Sequence, residues 1–423
     1  MAPRFRVQNA AVDEQASEQA TPELKGIGGP TKSSLLDRLA HFTWAWFTLP
    51  MATGGMSLLL SSQTQPHAFD GLQTIGKIVY LWALFLFTSV AICITYRFKR
   101  FPGTFTASLT HPTESLFAAT PLLSLASIIA AIARYGIPSC GPWLIVAYRI
   151  LFWMYFAISF VAAVGLYFLL FTSPALKLSD MTPAWDLPIF PFMLSGTVAS
   201  VGAPFQPPAH AVPMIIAALA AQGLGMLMSM MMYSNYIHRM VQYGFPSPSA
   251  RAGMFIAVGP PSFTALALIG LAEAFPTSYH PYFGDNGETI TVVLKAVATM
   301  TGVFIWALSL WFFCISVLAC VAARAEMRFR LNWWAFVFPN VGFTIATISI
   351  GRVFRSEAVE WVGSGMTLLL VATYLAVGTS HVKAVLRRDI LWEGKDEDTY
   401  WGERDHKMER LVEKGGDMGQ GRV

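Results

Sequence analysis

Apolar runs of roughly twenty residues alternate with short polar connections along most of this chain, from about residue 43 to residue 381. Runs of that length predict helices able to cross a bilayer, whose hydrocarbon core needs about 20 residues at ~1.5 Å each. Ten candidate spans emerge, at roughly 43–62, 75–96, 115–134, 145–171, 188–203, 210–233, 253–274, 291–321, 332–350 and 360–381. The fifth, short and bounded by Pro188 and Pro204, is the one hydropathy supports least. A second regularity restores it. Five times an apolar run is broken by proline with glycine, serine or threonine close behind: FTLPMATGG at Pro50, ATPLLSLAS at Pro121, FPFMLSGT at Pro191, VGPPSFTAL at Pro260 and Pro261, and FVFPNVGFT at Pro339. The spacings are about 70, 70, 70 and 78 residues, so one unit is repeated five times. Odd-numbered spans carry the prolines and even-numbered ones are smoother, which makes each repeat a helical hairpin. Proline in a membrane helix frees a carbonyl and bends the segment, tolerable where neighbours or a water-lined cavity satisfy the freed group. The pattern predicts an all-α polytopic membrane protein: ten transmembrane helices as five hairpins, in pseudo-five-fold arrangement around a central pore, bent at those six prolines.

Composition narrows the class. A chain of 423 residues that is 54% hydrophobic and 13% charged, with mean hydropathy +0.50, is not an ordinary soluble enzyme. The net charge of +4 is modest and reports membrane topology rather than nucleic-acid binding. With both termini inside, cytoplasmic connections carry twelve basic residues, Lys177 among them, against six near the opposite boundary. Residues 1–37 read as a disordered cytoplasmic tail without a signal peptide, 38–386 as the ten-helix domain, and 387–423 as a charged cytoplasmic tail. Cys93, Cys140, Cys314 and Cys320 lack metal-ligand spacing, and neither a metal nor a cofactor is expected. GIGGP at 27–31 lacks the strand, lysine and hydroxyl of a phosphate loop. No nucleophile–base set stands out, so an enzyme, receptor or scaffold explains the repeats less simply than a conduit.

Odd spans bring Thr53, Ser57, Ser124, Ser127, Ser195, Thr197, Ser262, Thr264, Asn340 and Thr344 to the region after each proline. Such groups stabilise an anion without trapping it, although the plain alternative is that each caps its own helix. Acids are absent from the interior of the spans, whereas Arg134, Arg149, Lys295, Arg352 and Arg355 lie towards the outer ends. Buried acids would mark a cation pathway or proton relay, so this balance favours an anion, even though each basic side chain also suits a snorkelling interfacial role. His41 and His238 are read as interfacial caps or anchors. From this set the expected substrate contacts are Arg352, Arg355, Arg149, Ser195, Thr197, Thr264, Asn340 and Thr344. Phe338, directly before Pro339, is the candidate gate: a ring at a bend closes a narrow conduit by dewetting it.

The stretches HFTWAWFTLPMATGG (41–55), FPFMLSGTVAS (190–200), MFIAVGPPSFTALALIG (254–270), ALSLWFFC (307–314) and LNWWAFVFPNVGFT (331–344) resemble the tellurite-resistance/dicarboxylate transporter family. That family also holds plant slow anion channels and fungal sulfite efflux pumps, and the likeness is strongest to fungal malic-acid transport proteins. The resemblance covers about residues 38–395. It implies ten helices in five hairpins around a pore lined by odd helices, with the gate at Phe338. It further implies plasma-membrane transport of C4-dicarboxylates such as malate and succinate, with coupling to protons as an expected partner role. A homo-oligomer embedded in lipid is expected, its number left open. Sulfite efflux is the alternative within the same fold.

Overall fold

In a computed structural model of the protein, residues 35–172, 178–277 and 284–392 are described. The assigned tails lie for the most part outside them, as does Lys177. The principal helices are α1 (Thr48–Leu59), α2 (Leu72–Arg100), α3 (Thr120–Ala131), α4 (Trp143–Thr172), α5 (Ser195–Gly202), α6 (Pro208–Tyr243), α7 (Gly259–Glu273), α8 (Gly287–Ala322), α9 (Phe338–Val353) and α10 (Glu357–Leu386).

The even members have 29, 30, 36, 36 and 30 residues, more than the ~30 Å hydrocarbon core requires. Their outward faces are rows of exposed apolar side chains, such as Ile78, Leu81 and Phe85 on α2 or Val161, Val164 and Phe168 on α4. Water would make such rows an aggregation hazard, and lipid makes them ordinary surface. Among the described residues, eight segments are by length and composition able to cross a membrane. Segment Phe190–Phe205, around α5, is apolar but shorter, and α1 has 12 residues.

Odd members are built in two halves. A 3₁₀ turn, such as Trp44–Phe47, Pro248–Val258 or Leu331–Phe336, leads into an α-helix. The prolines stand where the α-helical turns start: Pro121, Pro191, Pro260 and Pro339 at the second position, Pro50 and Pro261 at the third. Helix starts suit proline because N–H groups there have no intrahelical acceptor anyway. A carbonyl four residues back still loses a donor, and the outer helices supply one. Pro261 leaves Ala257 O free, and Tyr233 Oη of α6 donates to it at 3.0 Å. From α4, Tyr148 and Tyr155 also donate to carbonyls of the fifth segment that no proline has freed, Val198 O at 2.7 Å and Pro191 O at 2.6 Å. Even helices are not uniformly smooth, since α6 contains Pro213.

Contacts among odd helices run from α1 to α3, α5, α7 and α9, and from α9 back to α1. Each even helix packs on the odd helix before it. The windows of α3, α7 and α9 are 72–83% buried, against 17–28% for α2, α4, α8 and α10, with α6 between at 50%. The core is therefore the set of odd helices. Two acids are buried at its margin despite their absence from the predicted span interiors. Glu114 is paired with Arg97, which also donates to Phe42 O at 2.8 Å. Asp186, in the turn Pro183–Asp186 ahead of α5, is 1% exposed.

Candidate functional site

All five odd helices direct their C-terminal ends at one cavity of about 310 Å³. Leu58, Ser200, Leu266 and Ile345 contribute to its walls, and Arg134, Glu273 and Arg352 to its rim. Two guanidiniums of like charge share this vestibule because one loop holds both. Arg134 Nη1 donates to Gln63 Oε1 at 2.7 Å, and Arg352 Nη2 donates to Thr64 O at 3.1 Å and Gln63 O at 3.3 Å. The charges are near enough to repel each other. Each also sits at the C-terminal end of its helical segment, where a cation offsets the partial negative charge of the free carbonyls. Paired, partly exposed guanidiniums with donor groups left over suit an oxyanion, a carboxylate above all.

Below the vestibule the path narrows. Leu58, Thr197, Leu266 and Ile345 line both the vestibule and a void of about 20 Å³ that also touches Gly55, Ser127 and Phe338. A second void of about 20 Å³ lies across Phe338, lined by Thr48, Met51, Leu187 and Phe190. Phe338 therefore stands between two small voids, 2% exposed and stacked on Phe263 with centroids 5.1 Å apart. Glycines make the fit possible. A Cβ at Gly55 would come within 3.1 Å of the Phe338 ring, and one at Gly342 within 2.8 Å of the Phe263 ring.

Of the expected substrate contacts, Arg352 and Thr197 are on the cavity walls. Thr197 Oγ1 is buried with no hydrogen-bond partner, as is Ser195 Oγ, which lies at the start of α5 and lines neither the vestibule nor the two voids. Thr264 is committed elsewhere: it donates to Pro260 O at 2.7 Å and accepts from Gln222 Nε2 of α6 at 2.8 Å. Asn340 and Thr344 face a separate apolar crevice of about 180 Å³ between α8, α9 and α10. Arg149 is half-buried on α4, and Arg355 is exposed on the turn after α9 with a positive φ of 52°. Neither lines the vestibule. Most remaining hydroxyls follow the plain alternative. Ser57, Ser127 and Ser262 donate to carbonyls of their own helices, and Ser124 does so while also reaching Phe47 O at 2.8 Å.

Arg134 and Glu273 were missing from the expected contacts, although the repeat holds the signal for both. Thirteen residues after Pro50, Pro121, Pro191, Pro260 and Pro339 stand Gln63, Arg134, Pro204, Glu273 and Arg352, and every one lines the vestibule. Among the described residues no cluster of three or more potential metal-ligating side chains occurs.

Comparison with known proteins gives a family. The chain matches the voltage-dependent anion channel family, SLAC1, over residues 41–382. A malic acid transport protein of Schizosaccharomyces pombe is 38% identical over 369 residues, which is 86% of this chain and 83% of the relative. A second protein of that organism is 37% identical over 379 residues, 88% of this chain and 86% of its own length. The sulfite efflux pump SSU1 of Trichophyton rubrum is 27% identical over 347 residues, 80% of this chain and 89% of the relative.

Proposed function

Because the chain belongs to the voltage-dependent anion channel family, SLAC1, we propose that it carries C4-dicarboxylates, malate foremost and succinate with it, through a central pathway gated by Phe338. It is a transport protein, not an enzyme. In this reading ten crossings form five hairpins, the odd helices surround the pathway, and the closed cycle of odd-helix contacts supports that arrangement. One observation carries the substrate class: two guanidiniums tied to the same loop over a vestibule that ends on a phenylalanine. Arg134 and Arg352 draw the acid in, Thr197 Oγ1 and Ser200 meet it, and Phe338 must turn aside for it to pass. The α-helices of the odd segments begin at the level of the gate, so their N-terminal partial charges favour an anion at the narrowest point. The basic-residue asymmetry supports a topology with both termini cytoplasmic, and in this reading the protein works in the plasma membrane as a homo-oligomer.

Purified protein in proteoliposomes, assayed for malate and sulfite flux side by side with and without a pH gradient, tests this. Malate flux that sulfite does not match is expected, with a gradient dependence that reports proton coupling. Sulfite-dominated flux keeps the fold and overturns the substrate, in favour of the activity named for the sulfite efflux relative.

A further inference from the structure

Asp186 occupies a place where its own repeat neighbours have no use for an acid. Five residues before Pro50, Pro121, Pro260 and Pro339 stand Ala45, Leu116, Phe255 and Trp334, all buried and apolar. In the third repeat the same position, five before Pro191, is Asp186. Its carboxyl is as buried as theirs, and neither oxygen has a hydrogen-bond partner. Packing needs no acid here, and an ionised carboxylate left this way is costly.

The surroundings are neutral. Four elements pack on the Pro183–Asp186 turn: α6, the turn Pro248–Val258, the turn Glu114–Ala119 and, through Tyr167, α4. From α6 come Ser229, whose Oγ has no partner, and Tyr233, which donates to Ala257 O. From α4 comes Tyr167, which donates to Trp185 O. The cations of this region are engaged elsewhere. Arg239 bonds Ser179 O and Gly244 O, Arg251 bonds Pro246 O and Ala319 O, and Arg97 holds Glu114. Burial pushes the Asp186 carboxyl from 3.8 up to about 7, against a smaller opposing pull from the Ser229 hydroxyl, which lies close by without a formed hydrogen bond. Leu187, the next residue, lines the void on the inner side of Phe338, so a charge on Asp186 is felt by any anion there.

We propose that Asp186 is a proton-binding site on the inner side of the gate, and that an anion passes the inner void when Asp186 is protonated and is repelled when it is ionised. This rests on the reading of the protein as an anion carrier. The proton need not travel with the substrate; neutralising the carboxylate is enough.

Wild type, Asp186→Asn and Asp186→Glu are reconstituted and malate flux is followed over a pH series spanning about two units either side of the midpoint. In wild type, flux falls about tenfold for each unit above that midpoint. Asp186→Asn holds the low-pH rate throughout, and Asp186→Glu keeps a pH-dependent profile with a displaced midpoint. Malate's own ionisation is common to all three and cancels in the ratios. An asparagine variant that follows the wild-type profile overturns the proposal and leaves anion carriage standing. Wild type that moves no malate at any pH overturns the carrier reading instead. Infrared titration of the wild-type protein then decides Asp186 alone: a buried protonated-carboxyl band titrating near neutrality supports the site, and its absence overturns it.

Discussion

Replacing Phe338 by alanine acts directly on the throat. The ring is 2% exposed, stacks on Phe263 at 5.1 Å, and rests against Gly55. Truncating a buried phenylalanine costs about 3–5 kcal/mol, of which a stacked pair accounts for about 0.5–1.5 kcal/mol. The same contacts hold the ring in the closed position, so their sum is a ceiling on the barrier the side chain presents. At about 1.4 kcal/mol per factor of ten, that ceiling corresponds to a flux gain of roughly a hundredfold to a few thousandfold. Part of the barrier remains after truncation, because Leu58, Leu266 and Ile345 still line an apolar throat in which an anion must shed water. The expected gain for Phe338→Ala is therefore about tenfold to a hundredfold, below that ceiling. Malate efflux from proteoliposomes, normalised to reconstituted protein, measures it, and a melting curve in detergent reports the destabilisation separately. Unchanged or lower flux from a variant of equal abundance and intact fold would refute the gate.

The vestibule, the buried ion pair and Asp186 each give a further test. Arg134→Gln and Arg352→Gln each remove a charge-assisted contact worth about 1.5–3 kcal/mol, so half-saturating malate should rise about tenfold to a hundredfold while the limiting rate changes little; an unaltered concentration dependence removes the guanidiniums from the site. Glu273→Gln takes away a like charge screened by solvent, and half-saturation should fall about threefold, in keeping with ~0.5–1 kcal/mol; a rise would mean that Glu273 contacts substrate favourably. Glu114→Gln leaves Arg97 buried without its counter-charge and should cost about 3–5 kcal/mol, most of it restored in Arg97→Met/Glu114→Leu; melting temperatures separate the two. Asp186 makes stability depend on pH, because its folded value of about 7 lies above the ordinary 3.8. Folded protein then holds a proton that the unfolded chain has released. Stability is full below the lower value, falls by about 1.4 kcal/mol per unit as pH rises towards the upper one, and levels off beyond it; Asp186→Asn should lack that fall in a melting series.

Much of the architecture was legible because membranes simplify the code. Twenty apolar residues mean a helix, and a repeated proline marks where 3₁₀ turns give way to α-helix in the odd segments. The site was legible only in part. Arg352 and Thr197 were anticipated, but Asn340 and Thr344 turn into the crevice beside α8 and α10, and Thr264 turns towards Gln222. Helical facing at the start of a segment depends on the angle at which the preceding 3₁₀ turn delivers it, and residue type does not encode that angle. Arg355 illustrates the same limit at the other end: three residues beyond Arg352, it has left the helix for a left-handed turn.

Repeat register is the better guide. Position thirteen after each proline names the vestibule rim without coordinates, and the non-identity of its occupants (Gln, Arg, Pro, Glu, Arg) is what makes the five repeats differ there. Two arginines flank Gln63 in the cyclic order of odd helices, on α9 and in the turn that follows α3, so the positive charge gathers on one side of the opening while Glu273 of α7 faces it from the other. Position five before each proline makes the complementary point. Four apolar residues there give the packing rule, and Asp186 departs from it. A local departure from a rule the other repeats keep is where a cost to stability is tolerated for function. The two departures lie on opposite sides of Phe338: in the mechanism proposed above, a lopsided charge at the vestibule selects and orients the anion, and the Asp186 carboxyl, next in sequence to Leu187 of the inner void, sets whether it passes.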